Sequence, residues 1–215
     1  MKKLWQKNNI KTNKTVEVFE TKEDILLDQK LVKYDVLGSL AHAKMLKKIG
    51  ILSKDELIKL EKGLNEIYKL NNGGKFKLQF GEEDVHTKIE NYLTAKYGQV
   101  GKKIHTARSR NDQVLTALRL YSKAELSEIQ KNIISLILAI GNFSKKYGKI
   151  AMPGYTHTQK AMPSSISVWV TSLKDSLTDD LDLIEASYKL NDQSPLGSAA
   201  GYGVPIKLDK HFTAK

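Results

Sequence analysis

Residues 111–147 have the sequence NDQVLTALRLYSKAELSEIQKNIISLILAIGNFSKKY, which contains no proline and is followed by Gly148. Apolar side chains recur in it with a period of about 3.6 residues, which predicts one long amphipathic helix. That helix is far longer than the ~11–12 residues of an average globular helix, so it needs packing partners along its length. Its apolar stripe comprises Val114, Leu118, Tyr121, Leu126, Ile129, Ile133, Ile137, Ile140 and Phe143.

A second long helix is predicted downstream, at about 164–191. Ser164 and Ser165 are suitable N-caps, because a serine hydroxyl accepts hydrogen bonds from the free N–H groups of the first turn. Between the two helices, residues 149–163 are predicted to form a loop bounded by Gly148 and Pro163. Two helices of this length indicate a helical bundle. The second apolar stripe comprises Ile166, Val170, Leu173, Leu177, Leu181 and Ile184.

The upstream part of the chain contains no proline before Pro153, which favours uninterrupted helices. We predict helices at 23–49, closed by Gly50, and at 84–97. Another is opened by the capping box of Ser53 and Glu56. The fold class is therefore all-α: a small, mostly helical N-terminal domain (1–110) precedes the first long helices of a central helical bundle (111–215). A further helix start at Leu208-Asp209 lies close to Lys215, so we expect the bundle to be incomplete in this chain or completed by other copies.

Composition narrows the class of protein. The 215 residues include no cysteine, and the formal net charge is +11. No apolar run reaches the ~18 residues that span a bilayer, and the first residues lack the apolar segment of a secretory signal. We therefore expect a cytoplasmic protein with no membrane partner. The lysines are scattered beside acidic residues, which favours a solvated surface over a nucleic-acid groove.

Two of the three arginines, Arg108 and Arg110, lie within the sequence HTARSRNDQ at 105–113, whereas all 32 other basic residues are lysines. Guanidinium offers a planar fork of donors that grips a carboxylate with two parallel hydrogen bonds. Ser109, Asn111 and Asp112 add a hydroxyl, an amide and a carboxylate to the same segment. The cluster predicts a site for a small anionic ligand, although a simple helix N-cap would use some of the same residues.

A second loop places His157 between Thr156 and Gln159, which can orient its ring. An oriented imidazole is suited to donate or accept a proton near neutral pH. A third loop, SPLGSAAG at 194–201, has the composition of a tight turn. Each loop alone has an ordinary structural explanation, such as a structural histidine or a turn. Together they indicate proton transfer next to a carboxylate.

Three stretches, HTARSRNDQV (105–114), GYTHTQKAMP (154–163) and SPLGSAAGYG (194–203), resemble the argininosuccinate lyases of the aspartase/fumarase superfamily. Shorter stretches at 35–43, 83–86 and 101–105 agree with that family. The resemblance implies cleavage of argininosuccinate to arginine and fumarate. In that reaction a base removes the proton on the carbon next to a carboxylate, and an acid protonates the leaving nitrogen.

The resemblance also implies roles for individual residues. It identifies His157 as the acid/base group, and the substrate-binding residues as Asn111, Thr156, Arg110, Ser109 and, more weakly, Thr21. It assigns supporting roles to His86 and Asp84, and Gln159 joins them as a neighbour that can orient His157. The family implies a homotetramer, a dicarboxylate substrate, and neither a metal nor an organic cofactor. Sequence spacing gives no metal site either.

Departures from the family pattern affect the expected activity. Gln6-Lys7 follows Leu4-Trp5 where the family has Gly-Gly-Arg-Phe, and Ala107 replaces a glycine. The family's flexible serine loop is absent, so we expect this chain to be an N-terminal half that is inactive alone. Alternatives are a crystallin-like protein without activity on the same scaffold, another superfamily member such as adenylosuccinate lyase, and a basic nucleic-acid-binding module.

Overall fold

A computed structural model describes residues 15, 19, 23–79, 82–201 and 203–215. The chain divides into two compact units. Unit 1 comprises Met1–Tyr121 together with Gln193–Lys215, and unit 2 comprises Ser122–Asp192. The weak substrate-binding candidate Thr21 and the Leu4-Trp5 stretch lie outside the described residues.

Unit 1 is built from helices. The predicted helix at 23–49 is present in three consecutive pieces, and the helices predicted after Ser53 and at 84–97 are confirmed. Among the elements that the structure describes from Glu23 onward, unit 1 contains, in chain order, α1 (Asp24–Asp28), a 3-10 turn (Gln29–Leu31), α2 (Val32–Lys48), α3 (Lys54–Asn72), α4 (Val85–Tyr97), α5 (Gln99–Lys102), a 3-10 turn (Lys103–His105), the start of α6 (Arg110–Tyr147) and, after unit 2, α8 (Lys210–Ala214).

Local capping explains where these helices begin and end. The Ser53 hydroxyl accepts a hydrogen bond from the Glu56 amide at 3.2 Å, and the Ser53 amide donates to the Glu56 carboxylate at 2.9 Å. This confirms the predicted capping box. Gly50 follows α2 with a φ of 83°, the left-handed conformation in which glycine ends helices without strain. At α4, the Asp84 carboxylate accepts from the Thr87 amide at 2.7 Å.

The core of unit 1 lies between α2, α3 and α4. Its members are apolar and almost completely shielded from solvent, so the hydrophobic effect holds these three helices together. Gly101 on α5 fits directly against α4, where a Cβ atom would stand 2.4 Å from the backbone carbon of Leu93. The fully buried apolar side chains of the three helices include Val32, Val36, Met45, Leu46, Leu60, Leu64, Ile67, Val85 and Leu93.

Unit 2 contains the remainder of α6, a hairpin of β1 (Ala151–Thr156) and β2 (Gln159–Ser165), and α7 (Ile166–Asn191). Both predicted long helices are confirmed. The Ser165 hydroxyl caps α7 by accepting from the Val168 amide at 3.3 Å. The described part of the chain is mostly helical, so the all-α class is confirmed, with one small sheet.

The hairpin replaces the loop predicted at 149–163, and that prediction was wrong. The strands are antiparallel, with Ala151 opposite Ser165 and Thr156 opposite Gln159. Pro153 lies opposite Pro163, which a two-stranded ribbon tolerates because each strand has a free edge that needs no N–H donor.

Large apolar side chains stand exposed along both long helices of unit 2. They include Ile129, Ile134, Leu136, Leu138 and Phe143 on α6, and Val168, Trp169, Leu173, Leu183 and Leu190 on α7. None of the helices in the described part of the chain is both long and apolar enough to cross a membrane.

Candidate active site

One buried face of α2 carries polar side chains. The buried face of a helix packed into a core is normally apolar. Asp35, Ser39 and His42 follow each other at helical spacing on this face, and all three are buried. Buried polar groups persist only when hydrogen-bond partners compensate for the water they lose. The face therefore marks a network whose other members come from α4 and from the start of α6.

Asp35 is the centre of this network. Its carboxylate accepts a hydrogen bond from the Ser39 hydroxyl at 2.6 Å and another from the Gln113 amide nitrogen at 3.1 Å. The ring nitrogen Nδ1 of His86 binds the same carboxylate oxygen, Oδ2, as Gln113. Burial alone would raise the pKa of Asp35, but His86, Arg108 and Ser39 together lower it to about 2. The carboxylate is thus ionised at neutral pH and acts only as an acceptor.

Arg108, the first arginine of the 105–113 segment, is buried beside this carboxylate. Its Nη1 donates to the Ser39 hydroxyl at 3.0 Å, so Ser39 bridges Arg108 and Asp35. Burial lowers the pKa of Arg108, and the nearby carboxylates Asp35 and Asp112 oppose that effect.

His42 occupies the next turn of α2. Its Nε2 donates to the carbonyl oxygen of Thr106 at 2.9 Å. Burial, reinforced by the positive charge of Arg108, lowers the pKa of His42 to about 3. The imidazole is therefore neutral at physiological pH. It holds the backbone just before the Arg-Ser-Arg sequence.

Arg110, the second arginine, is partly exposed and bound on the protein itself. Its Nη1 pairs with the Asp84 carboxylate and donates to the Thr87 hydroxyl at 3.0 Å. The same carboxylate caps α4, whose first turn carries His86. The structure thus brings the candidates Arg110, Asp84 and His86 to one place.

The start of α6 forms a compact polar turn. The Ser109 hydroxyl accepts from the Asn111 amide at 3.2 Å, and the Ser109 amide donates to Asp112 at 3.1 Å. The second Asp112 oxygen accepts from the Ala199 amide at 2.9 Å, which ties the Gly/Ser/Ala loop to this turn. Asn111 is exposed, and Ser109 is partly exposed. Two of the three predicted loops therefore meet in unit 1.

The remaining candidates lie on the hairpin of unit 2. Thr156, His157 and Gln159 are all exposed. His157 and Thr158 form the tip of the hairpin, with φ values of 51° and 65°. Left-handed conformations at two consecutive residues other than glycine are uncommon. The tip therefore presents His157 outward in a defined backbone conformation.

Several members of the site were not assigned from the sequence. Asp35, Ser39 and His42 lie in the stretch at 35–43 that resembles the lyase family, but a polar residue on a helix normally indicates the solvent side. Their spacing of four and then three residues places them on one helix face, and this pattern could have predicted a shared polar cluster. Gln113 was part of the quoted motif without an individual role, and Arg108 was predicted to bind a ligand but is buried on Ser39.

Each unit, taken by itself, offers one kind of chemistry: donors for an anion in unit 1 and a proton-transfer group in unit 2. Unit 1 offers partly exposed donors at Ser109, Arg110 and Asn111, supported from behind by a buried network. The hairpin offers an exposed imidazole. No group of three or more His, Cys, Asp or Glu side chains that could hold a metal ion occurs among the described residues.

Comparison with known proteins gives a consistent result. A family model described as "Lyase" matches residues 7–215. The chain is 48% identical over 213 residues to the argininosuccinate lyase of Thermotoga neapolitana, and 45% identical over 213 residues to that of Phocaeicola vulgatus. Both alignments cover 99% of this chain.

The alignments cover only 53% and 48% of those two relatives, so the chain spans about half the length of the curated relatives it matches. Among solved structures, an EDDS lyase variant with bound fumarate superposes with a TM-score of 0.76 at 24% identity. That match covers 96% of this chain and 41% of the solved one, and it supports the fold alone.

Proposed function

Because this chain belongs to the lyase family whose model matches residues 7–215, we propose that it is the N-terminal part of an argininosuccinate lyase. The proposed reaction is the reversible elimination of fumarate from argininosuccinate to give arginine, in arginine biosynthesis. The observation that carries the proposal is the 48% identity to the Thermotoga neapolitana enzyme over 99% of this chain.

The chemistry requires donors placed where negative charge develops. Removal of the proton next to a carboxylate leaves an aci-carboxylate with two negative charges, and preorganised donors stabilise it more than water does. We assign this binding to Ser109, Arg110 and Asn111, whose backbone turn is held by Asp112. Thr21 is a further substrate-binding candidate.

We assign proton transfer to His157, the exposed imidazole at the hairpin tip, and substrate contact to its neighbour Thr156. Gln159, Asp84 and His86 support these groups. Asp84 does so by holding Arg110, whose side chain stays 30% exposed in the ion pair and can therefore meet a solvent-borne anion.

We further propose that residues 1–110 form an N-terminal domain and that α6 and α7 belong to a central bundle shared by a homotetramer. The exposed apolar side chains of these two helices support that assembly, because long apolar stripes are costly to leave in water. We propose that the enzyme is cytoplasmic, needs no metal or organic cofactor, and binds neither nucleic acid nor membranes.

The test is a chimera. This chain is fused to the part of the Thermotoga neapolitana enzyme that lies beyond its matched region, and fumarate release is followed by ultraviolet absorbance. We expect turnover of argininosuccinate and none of adenylosuccinate. The purified 215-residue chain alone should show no turnover. A folded, tetrameric chimera that releases no fumarate would refute the proposed function.

His157→Ala in the chimera tests the acid/base role. Loss of a positioned acid or base lowers the rate by roughly 10²–10⁴-fold, and we expect kcat to fall within that range. His211→Ala is the matched control, because His211 is also exposed and has no assigned role. Equal activity of the two variants would remove His157 from the mechanism.

A further inference from the structure

We propose that Asp35 is a positioning residue of the candidate site: it keeps a proton on Nδ1 of His86 and, through Ser39 and Gln113, fixes the segment from Arg108 to Gln113. The inference rests on the proposed function only in treating this place as an active site. The contacts that carry it lie within unit 1.

The position of the proton on His86 follows from the hydrogen bond between its ring and Asp35. The Asp35 carboxylate is buried, ionised and able only to accept, so the His86 nitrogen that binds it must carry a hydrogen. This fixes the ring orientation and the proton on Nδ1. His86 lies two residues after Asp84, the partner of Arg110, so the first turn of α4 is held at both residues.

Asp35 fixes the segment from Arg108 to Gln113 because both end residues of that segment are bound to its carboxylate, Arg108 through Ser39 and Gln113 directly. Arg108 reaches Asp35 through the Ser39 hydroxyl, which accepts from Arg108 at 3.0 Å and donates to Asp35 at 2.6 Å. Gln113 donates to Asp35 directly at 3.1 Å. The three predicted substrate-binding residues, 109–111, lie between these two anchors. One carboxylate therefore holds both ends of the short segment that presents them.

Asparagine at position 35 cannot reproduce this arrangement. Asp35 receives hydrogens from His86, Ser39 and Gln113, and a carboxamide offers one acceptor oxygen where the carboxylate offers two. The charge is lost, and the Ser39 hydroxyl can keep its contact only by turning to accept from the carboxamide NH2, so the charged anchor is weakened. Ser39→Ala is a narrower change, because it cuts the link to Arg108 and leaves the contact between His86 and Asp35 in place.

The experiment uses the 215-residue chain and needs no turnover. Long-range proton–nitrogen NMR correlation of the histidine rings, with His86→Gln to identify the signal, shows which ring nitrogen carries hydrogen. Hydrogen exchange of the amides at 109–111 reports how firmly the segment is held. Asp182→Asn, an exposed aspartate on α7, is the matched control.

We expect hydrogen on Nδ1 of His86 in the wild type. In Asp35→Asn the amides at 109–111 should exchange about tenfold faster, in line with the loss of a hydrogen bond to a charged group. Ser39→Ala should raise their exchange while the His86 ring stays as in the wild type, and the Asp182 variant should change neither reading.

Three results would overturn the inference. The first is a wild-type His86 ring whose hydrogen is on Nε2 alone. The second is unchanged amide exchange in a folded Asp35→Asn variant. If that variant does not fold, unchanged exchange in Ser39→Ala overturns the inference instead. Because all readings are structural, they stand whether or not the chimera releases fumarate.

Discussion

His42 shows how a single buried residue couples this fold to pH. The folded chain takes up a proton on His42 only near pH 3, whereas an unfolded histidine takes it up near pH 6.5. Between these values the unfolded state binds more protons, so its stability relative to the folded state grows as the pH falls. Asp35 acts in the same direction, but only between its ordinary pKa of 3.8 and about 2.

We therefore expect the free energy of unfolding to fall from pH 6.5 to about pH 4.5, with His42 contributing a slope of up to roughly 1.4 kcal/mol per pH unit. His42→Gln keeps a donor for the Thr106 carbonyl but does not titrate, so its slope should be smaller by that amount. Urea unfolding at several pH values measures this, with His211→Gln as the control. Identical slopes for His42→Gln and the wild type would contradict the burial of a neutral imidazole.

The residue scale also shows what the sequence could not reveal. Arg108 and Arg110 were predicted to grip a ligand because they stand close together, yet in this structure one is buried on Ser39 and the other pairs with Asp84. Although Arg108 and Arg110 are only two residues apart, they bind different partners, one on α2 and one at the start of α4. Those partners are 69 and 26 residues away along the chain, and no local pattern reports them.

At the scale of elements, the long helices were predictable because periodicity accumulates over many residues. The hairpin was not, for physical reasons. Its strands contain Pro153 and Pro163, which normally argue against a strand. Its tip is His157-Thr158, whereas the usual signal for a two-residue turn with two left-handed residues is Asn-Gly.

Contact between α4 and α5 provides a prediction at this scale. Alanine at Gly101 would place a methyl group 2.4 Å from the backbone of Leu93, and the two helices would have to separate. We expect Gly101→Ala to lower the free energy of unfolding by about 1–3 kcal/mol, the usual cost of overpacking.

Gly141→Ala is the matched comparison, because no atom lies within 4 Å of a Cβ at that position in α6. At that position alanine should raise the free energy of unfolding by about 0.5–1 kcal/mol, because an alanine backbone loses less conformational entropy on folding than a glycine backbone. Denaturant titration distinguishes the two signs. A Gly101→Ala variant as stable as the wild type would show that α5 is free to move away from α4.

At the scale of the whole molecule, the exposed apolar faces of α6 and α7 predict self-association. Leu138 and Leu183 are 63% and 68% exposed, and replacing both with glutamate would place charges on surfaces that copies of the chain would share. We expect light scattering to give a mass above that of one chain for the wild type and a lower mass for Leu138→Glu/Leu183→Glu.

Ile58→Glu serves as the control, since Ile58 is 51% exposed on α3 of unit 1 and lies outside the proposed bundle. Its mass should equal that of the wild type. A wild-type chain that stays monomeric at high concentration would count against the shared bundle.

The discontinuity of unit 1 has a consequence for the order in which this protein matures. Lys48 pairs with Asp209 across 161 residues, and Asp112 meets Ala199 across 87. Unit 2 is one uninterrupted run of chain, whereas these contacts must wait until residues 193–215 have been synthesised and have packed against the earlier part of unit 1. During translation, Asp112 therefore lacks its Ala199 partner until residue 199 has been made. We therefore expect this part of the candidate site to form only after the whole of unit 2 has been synthesised, in a step slower than the folding of local helices.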